Sequence, residues 1–568
     1  MRILKNRITL SLIAILALTY VWEFHVRSES SPLYTAAVSE YKDENYANTL
    51  DLLERAYRID PNNTAIITLF GWSYLKSGNH AEAQPYFTRA LRLGPDLQEA
   101  RLGLAYCWLE SGDGMKALEH FLRLERSRRN SVEVRTAMAR AYRILGDNQR
   151  TLQIALEVLE EDSQNALARK ELVYLTGIED PETWKRIRSR PLVRPSKLAV
   201  TARLRNGYFE VQRGGRWQRI YVAGVNVGPA TPGHFASEPV TDVAVYLDWL
   251  DKIGQMGANT VRVYTILPPA FYRALLAYNL RHPQDAIYLF QEIWLKDPPN
   301  ENLWDKAFTD DFEREIRDAV DVVHGRSDLP IRVDHAGGVY TADLSPYVLG
   351  WLVGREIEPH VVITTNLRNP GAKEFAGRYL KISEGNASEV WLTERCDFLV
   401  DYEVKQYNRQ TPVAFVSWPP LDPITHPTET PLRVELRIRR ARGEILAPLG
   451  LGIPDDNDMT SLDEEKISAE PAFQAGYFAL SHIYPFYPDF ILLDPLYRRA
   501  KDRQGPNSYW GYLQDLKKHY RRTPLLVGEY GLSTSIGIAH FNDYGMNHGG
   551  LNEVEQGEAL ARLTENIQ

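Results

Sequence analysis

The chain has 568 residues, of which 44% are hydrophobic and 25% are charged, a composition typical of a globular protein with two or three folded domains. The formal net charge is −8 and the isoelectric point is about 6.0, with lysine and arginine spread along the chain, which argues against nucleic-acid binding. The two cysteines, Cys107 and Cys396, lie far apart in sequence, which argues against a disulfide framework and against a cysteine metal site.

The N-terminal residues have the pattern of an export signal. Arg2, Lys5 and Arg7 precede a mostly apolar run that ends near Trp22. We expect residues 1–27 to be a signal anchor or a signal peptide, with a buried first helix as the alternative. The run is short for a membrane span, but no small-x-small cleavage pattern follows it, which favours an anchor. The rest of the chain would then belong to the cell envelope, anchored in the inner membrane and facing the periplasm or exterior, or be secreted after cleavage.

From about residue 33 to 180 the sequence repeats at an interval of 34 residues. The recurring positions are glycines and aromatic residues, namely Gly78, Gly112 and Gly146, and Tyr74, Trp108 and Tyr142. Apolar residues at helical spacing, with a glycine near a helix end, predict pairs of antiparallel helices. These residues resemble the tetratricopeptide repeat. The resemblance implies an all-α solenoid of three to four repeats that binds a protein partner, with a structural spacer as the alternative.

A second domain is predicted over residues 195–568, after a proline-rich segment. An Asn-Gly turn at 206–207 and a Gly-Gly turn at 214–215 predict a β-hairpin at its start. Seven short apolar runs then alternate with helical patterns, and an insertion occupies about 421–470. No glycine-rich phosphate turn follows the first run, which favours an α/β (β/α)8 TIM barrel over an open doubly wound sheet.

An eighth strand is missing from this pattern, because the chain stops in a segment that reads as the helix before it. The predicted fold is therefore multidomain: a tetratricopeptide solenoid followed by a TIM barrel whose last strand is absent by truncation. We expect the natural continuation of the chain to supply that strand.

The carboxyl ends of the predicted strands carry the candidate active site, as in other barrels of this type. Tryptophan and tyrosine beside carboxylates suit a sugar site, because flat rings stack on pyranose faces while acids act on the glycosidic bond. On an extended strand, Glu356 and Glu358 in WLVGREIEPH would point the same way. The strand-end residues are Asn226, Arg262, Tyr264, Glu292, Trp294, Glu356, Glu358, Trp418, His482, Tyr484 and Glu529.

Residues 200–568 resemble the retaining glycoside hydrolases of clan A, with a family 2/5-like catalytic domain. The resemblance lies in GVNVGPA, GANTVRVY, HIYPFYPDF and the glutamates that close the fourth strand and LLVGEYG. It implies Glu356 as acid/base and Glu529 as nucleophile, and Glu356 is preferred to Glu358 because it is nearer the strand end. Arg355 stands where the clan has asparagine. The expected substrate-binding residues are Asn226, Arg262, Tyr264, Arg355, Glu358, Trp418, His482 and Tyr484.

The sequence thus predicts an exported retaining glycoside hydrolase or transglycosylase that acts on a polysaccharide by double displacement. The repeats would recruit a protein partner, and the N-terminal segment would contact the membrane. We expect no cofactor, no metal and no nucleic acid. The alternative is a non-catalytic glycan-binding scaffold of an envelope polysaccharide assembly, since a fold alone does not establish a function.

Overall fold

The structure is a computed structural model that describes residues 30–127, 131–188, 194–235, 238–332, 335–429, 431–441 and 459–568. The predicted signal anchor or signal peptide, and residues 442–458 of the predicted insertion, lie outside the described residues. Within the described part, no helix is long and apolar enough to cross a membrane. The chain divides into two compact units, Met1–Glu182 with Asp328–Val333, and Thr183–Ser327 with Asp334–Gln568.

The first unit is a helical solenoid, as the 34-residue interval predicts. Its helix pairs begin 34 residues apart, at Thr64, Gln98 and Val132. Gly78, Gly112 and Gly146 lie in the turns within the pairs and have φ of 87°, 78° and 74°, a region that favours glycine. The helices are 30–42, Tyr46–Ile59, Thr64–Lys76, His80–Leu93, Gln98–Glu110, Gly114–Ser127, Val132–Ile144, Asn148–Glu161 and Ala166–Thr176. The next helix, Pro181–Arg188, begins in this unit and continues into the second.

The close packing of this unit depends on small residues around one buried ring. Phe87 is fully buried, and its ring lies against Gly71 and Gly103, which belong to the helices on either side in sequence. A Cβ atom at Gly103 would overlap the Phe87 ring. The glycine is therefore required by the approach of the two helices.

We expect Gly103→Ala to lower the free energy of unfolding by about 1–3 kcal/mol, because the cost of overpacking exceeds the gain in helix propensity. Thermal and urea unfolding measure the effect. Gly557→Ala is the matched control, since a Cβ at this helical position meets nothing within 4 Å and should stabilise slightly. Equal stability of the Gly103→Ala variant and the parent protein would contradict the packing argument.

The second unit is built on a seven-stranded parallel sheet whose strand order follows the chain order. We refer to its strands as first to seventh. They are Gly224–Val227, Thr260–Val263, Tyr288–Ile293, Val348–Val353, Val413–Ser417, Ala479–His482 and Leu525–Glu529. The helices of the unit are Val243–Gln255, Pro269–Arg281, Lys306–Val323, Pro359–Arg368, Ala387–Tyr407, Leu432–Ala441, Phe490–Leu493, Pro495–Arg498, Ser508–His519 and Glu553–Ile567.

The sheet curls until strands that are not neighbours meet. The rings of Phe290 on the third strand and Phe478, which precedes the sixth, have centroids 6.1 Å apart. At the open edge, Asn226 Nδ2 of the first strand donates to the carbonyl oxygen of Gly528 on the seventh at 3.3 Å. The sheet is therefore nearly barrel-shaped. Within the described residues it has seven strands, so the complete eight-stranded barrel stays a prediction.

A three-stranded antiparallel sheet near the start of this unit packs against the inner face of the curled parallel sheet. Its strands are Ala202–Arg205, Tyr208–Arg213 and Arg216–Ile220, and its turns at Asn206–Gly207 and Gly214–Gly215 have positive φ throughout, which confirms the predicted hairpin turns. Phe209 packs edge-on against Phe290 and Phe478, with centroids 5.7 and 5.1 Å apart. The remaining short strands are Ala199–Val200, Ser327–Leu329, Gly338–Tyr340, Phe375–Ala376, Leu380–Ile382, Arg409–Gln410, Ile467–Ala469, Lys501–Asp502, Gly505–Pro506, Ile538–His540 and His548–Gly549.

Candidate active site

The site residues lie together at the carboxyl-terminal ends of the parallel strands. Arg262 on the second strand lies opposite Asn226 on the first, and His482 on the sixth lies opposite Glu529 on the seventh. Because the first and seventh strands approach each other, Arg262 also reaches Glu529. The site is thus assembled from strand ends that are distant in sequence.

Both carboxylate oxygens of Glu529 accept a hydrogen bond from a neighbouring side chain. Arg262 Nη1 donates to Oε1 at 2.6 Å, and the Tyr484 hydroxyl donates to Oε2 at 2.6 Å. Burial alone would raise the pKa of Glu529, but His482, Arg262 and Tyr484 together hold it below its ordinary value. Glu529 is therefore kept as an ionised carboxylate, the form that a nucleophile requires.

Arg262 also binds a second acid, Glu292 at the end of the third strand. Arg262 Nε donates to Glu292 Oε2 at 2.8 Å, and Nη2 donates to the same oxygen. Glu292 is 1% exposed, its Oε1 has no hydrogen-bond partner, and burial raises its pKa to about 8 although Arg262 opposes the shift. Glu292 ends an apolar run in the sequence but is not among the predicted substrate-binding residues. The sequence feature that could have identified Glu292 is a carboxylate within the apolar run AIYLFQEIWL.

We expect Glu292→Gln to change how stability depends on pH. The pKa of Glu292 is 4.5 in the reference state and about 8 in the folded protein, so the stability that its proton provides is complete below 4.5 and is lost as pH rises through 8. Glutamine does not titrate. The melting temperature of the variant relative to the parent should therefore rise between about pH 5 and about pH 9.

Thermal unfolding across this range measures the difference. Glu558→Gln, at an exposed helical position, is the control and should show a constant offset at every pH. A constant offset for Glu292→Gln as well would contradict a buried, protonated Glu292.

Glu356 lies beside Glu529, with His482 between them. His482 Nδ1 is 2.8 Å from Glu356 Oε1 and 3.6 Å from Glu529 Oε1. One oxygen of each glutamate and one ring nitrogen of His482 lie within 4.8 Å of one another. The two carboxylates are therefore close enough to act on the same ligand. The Glu356 side chain is 38% exposed, so it is open to a ligand.

Glu358 lies apart from this cluster, although strand alternation would have placed it on the same side as Glu356. The fourth strand ends at Val353, and Gly354 has φ of 94°, so the alternation stops before either glutamate. Glu358 pairs instead with Arg355, whose Nη1 and Nη2 donate to its two oxygens at 2.9 and 3.1 Å. Because both glutamates follow the end of the strand, the strand alternation that predicted a common direction does not apply to them.

Arg355 holds the loop that follows the fourth strand. Besides Glu358 it binds Asp297, the Leu295 carbonyl oxygen at 2.9 Å and the Glu356 carbonyl oxygen at 2.9 Å. Its donors are thus largely committed to the protein. Arg355 shapes the position of Glu356 more than it offers a free cation to a ligand.

The remaining predicted residues surround the two glutamates. Asn226 bonds the backbone of the seventh strand, and Tyr264 lies under the Arg262 guanidinium, 4.5 Å from ring centroid to carbon. Burial, followed by the charge of Glu529, raises the pKa of Tyr264 to about 12. Trp418 Nε1 donates to the Ile357 carbonyl oxygen at 2.9 Å, which places the indole beside the Glu356 loop.

Glu356, His482 and Glu529 are also the candidate metal ligands of the described residues. The arrangement suits a cation poorly. Both oxygens of Glu529 already accept hydrogen bonds, and the positive charge of Arg262 lies against one of them. The geometry fits a pair of acids better than a metal centre.

The comparisons with known proteins concern the repeats. The tetratricopeptide repeat family model matches residues 74–141. One similar solved structure is YrrB, a tetratricopeptide repeat protein with an unusual peptide-binding site; the identity is 19%, the match covers 27% of this chain and 85% of that chain, and the TM-score is 0.23. Another is MamA of AMB-1, with 16% identity, 26% of this chain and 85% of that chain covered, and a TM-score of 0.24. A tetratricopeptide repeat protein from Parabacteroides merdae has 16% identity, with 25% of this chain and 56% of that chain covered and a TM-score of 0.24. No curated protein matches. The family match supports a role in protein–protein interaction.

Proposed function

We propose that the second unit is a retaining glycoside hydrolase or transglycosylase that acts on a polysaccharide. One observation carries the proposal: a glutamate that is only 12% exposed and is held ionised by an arginine and a tyrosine has an oxygen within 4.8 Å of an oxygen of a second, solvent-accessible glutamate. This is the pair that double displacement requires. Glu529 is the proposed nucleophile and Glu356 the proposed acid/base.

In the first step, a Glu529 oxygen attacks the anomeric carbon while the bond to the leaving-group oxygen breaks. Protonated Glu356 gives its proton to that oxygen, so the leaving sugar departs neutral and a glycosyl ester forms on Glu529. Arg262 and Tyr484 keep the attacking carboxylate ionised and oriented. Nδ1 of His482, 2.8 Å from Glu356, orients the acid.

In the second step, ionised Glu356 removes a proton from water or from a sugar hydroxyl. The oxygen of that water or hydroxyl attacks the anomeric carbon, and the ester bond to Glu529 breaks. Glu529 returns as a carboxylate and Glu356 regains its proton. Water gives hydrolysis, and a sugar hydroxyl gives transglycosylation, with the anomeric configuration retained in both cases.

The test is the release of reducing sugar and oligosaccharide from β-glucans, mannans and galactans by the full chain. We expect release by the parent protein, none by Glu529→Gln, and a loss of about 10²-fold or more in Glu356→Gln. The second candidate is a glycan-binding scaffold, favoured by Arg355, which is bound to Glu358 and Asp297 where the resembled clan has a sugar-contacting asparagine. Binding of a glycan without release, unchanged in both variants, would support the scaffold.

The repeats are proposed to recruit a protein partner to this enzyme at the cell envelope, with residues 1–27 as the export signal. Trp72, Tyr106 and Arg140 lie 34 residues apart on the first helices of successive pairs, and the rings of Trp72 and Tyr106 are 6.2 Å apart. In crosslinking on intact cells, Tyr106→Ala should lose a partner that the parent retains, with sugar release unchanged. Equal crosslinking by both would argue for a structural spacer.

A further inference from the structure

A row of aromatic rings leads away from Glu356, and the proposed chemistry does not use most of it. Trp418, which follows the fifth strand, is fixed by its hydrogen bond to the Ile357 carbonyl oxygen, one residue beyond Glu356. The Tyr487 ring lies 6.0 Å from the Trp418 ring at an interplanar angle of 27°, and the His540 ring lies 5.6 Å from Tyr487 at an angle of 63°, edge to face. We call Trp418, Tyr487 and His540 the ring platform.

The ring platform is built from three segments, which follow the fifth, sixth and seventh strands. Trp418 and Tyr487 are half-buried and His540 is exposed, so the platform is held by the protein and open to solvent. Phe486 supports it, with its ring 6.2 Å from His540 and stacked on His548 at 4.5 Å. His540 is further fixed by strand pairing with His548.

We propose that the ring platform binds sugar units on the leaving-group side of a neutral pyranose chain, an inference that rests on the proposed function. The general acid of a retaining enzyme protonates the leaving-group oxygen, so the surface beside Glu356 faces the leaving part of the chain. Aromatic faces stack on the C–H faces of such sugars. Arg355, the cation beside this surface, is already paired with Glu358 and Asp297, so this surface does not require a negative charge on the sugar chain.

The position of the ring platform has a kinetic consequence. After the first step, the same surface holds an incoming sugar so that its hydroxyl lies near Glu356. The enzyme should therefore favour transfer to an oligosaccharide over hydrolysis when acceptor is abundant. It should also favour chains long enough to cover the rings over disaccharides.

The experiment measures oligosaccharide binding by calorimetry in the Glu529→Gln protein, which does not consume the ligand. The probes are neutral β-glucan and β-mannan oligosaccharides of two to six units. Tyr487→Ala and His540→Ala are added separately to that protein, and His540→Ala alters only an exposed ring. Tyr487→Phe retains the ring, and Tyr208→Ala removes an exposed tyrosine from the entrance hairpin as the matched control.

We expect Tyr487→Ala and His540→Ala each to raise the Kd of the longer oligosaccharides by about tenfold, with less than a twofold change for disaccharides, for Tyr487→Phe and for Tyr208→Ala. Sugar release by the parent, with Kd unchanged at every length in both alanine variants, overturns the ring platform and leaves the proposed enzyme standing. Length-dependent loss of binding without any sugar release supports the platform and overturns the enzyme. No binding of any oligosaccharide overturns the platform.

Discussion

Glu529→Gln should reduce kcat for polysaccharide cleavage by at least about 10⁴-fold, because it removes the group that forms the covalent intermediate. The fold should survive the change. Arg262 keeps its two hydrogen bonds to Glu292, and the loss of the Glu529 charge lowers the pKa of Glu292, which favours the pairing of that acid with the arginine. Circular dichroism and thermal unfolding check the fold, and sugar release measures the activity.

Glu558→Gln is the matched control for this prediction, since it makes the same chemical change at an exposed helical position. It should have the kcat of the parent. Activity of Glu529→Gln within about tenfold of the parent would exclude Glu529 as the nucleophile, because no other group in the account forms the ester.

Glu356→Gln should lower kcat by about 10²–10⁴-fold on substrates with a poor leaving group, the usual contribution of a general acid. Substrates with an activated leaving group, such as dinitrophenyl glycosides, need no protonation and should lose much less in the first step. Azide should restore turnover of these substrates by replacing the water that Glu356 otherwise activates. The measurement is the ratio of the loss in kcat on substrates with a poor leaving group to the loss on substrates with an activated one.

Glu358→Gln provides the comparison within the same loop. Glu358 is bound to Arg355 and lies outside the cluster of Glu356, His482 and Glu529, so its substitution should change the leaving-group dependence by less than about threefold. A larger leaving-group effect for Glu358→Gln than for Glu356→Gln would transfer the acid/base role to Glu358.

The convergence of Arg262, His482 and Glu529 could be predicted from the sequence because each residue ends an apolar run. The carboxyl ends of parallel strands lie on the same side of the sheet, so the order of the apolar runs is enough to predict that these residues meet. The helical repeats were predictable for a similar reason. Their 34-residue interval is a local property of the chain and needs no knowledge of distant contacts.

Other features depend on contacts that no local pattern records. The raised pKa of Glu292 follows from its nearly complete burial against Arg262. Glu356 and Glu358 have different partners, His482 and Arg355, in a loop that begins after the fourth strand ends at Val353. Arg355 is held in part by Asp297, 58 residues earlier in the chain. His540 joins the ring platform from a segment without a recognisable motif. These are the features for which the three-dimensional arrangement was needed.

The most direct measurement is mass spectrometry of the peptide that contains Glu529 after incubation with 2-deoxy-2-fluoro glycosyl fluorides of the gluco, manno and galacto series. These reagents form the glycosyl ester and slow its hydrolysis. One of them should add a single sugar to Glu529, and the label should be absent in Glu529→Gln. A label on Glu356, or turnover of the polysaccharide with inversion of the anomeric centre, would contradict double displacement through Glu529.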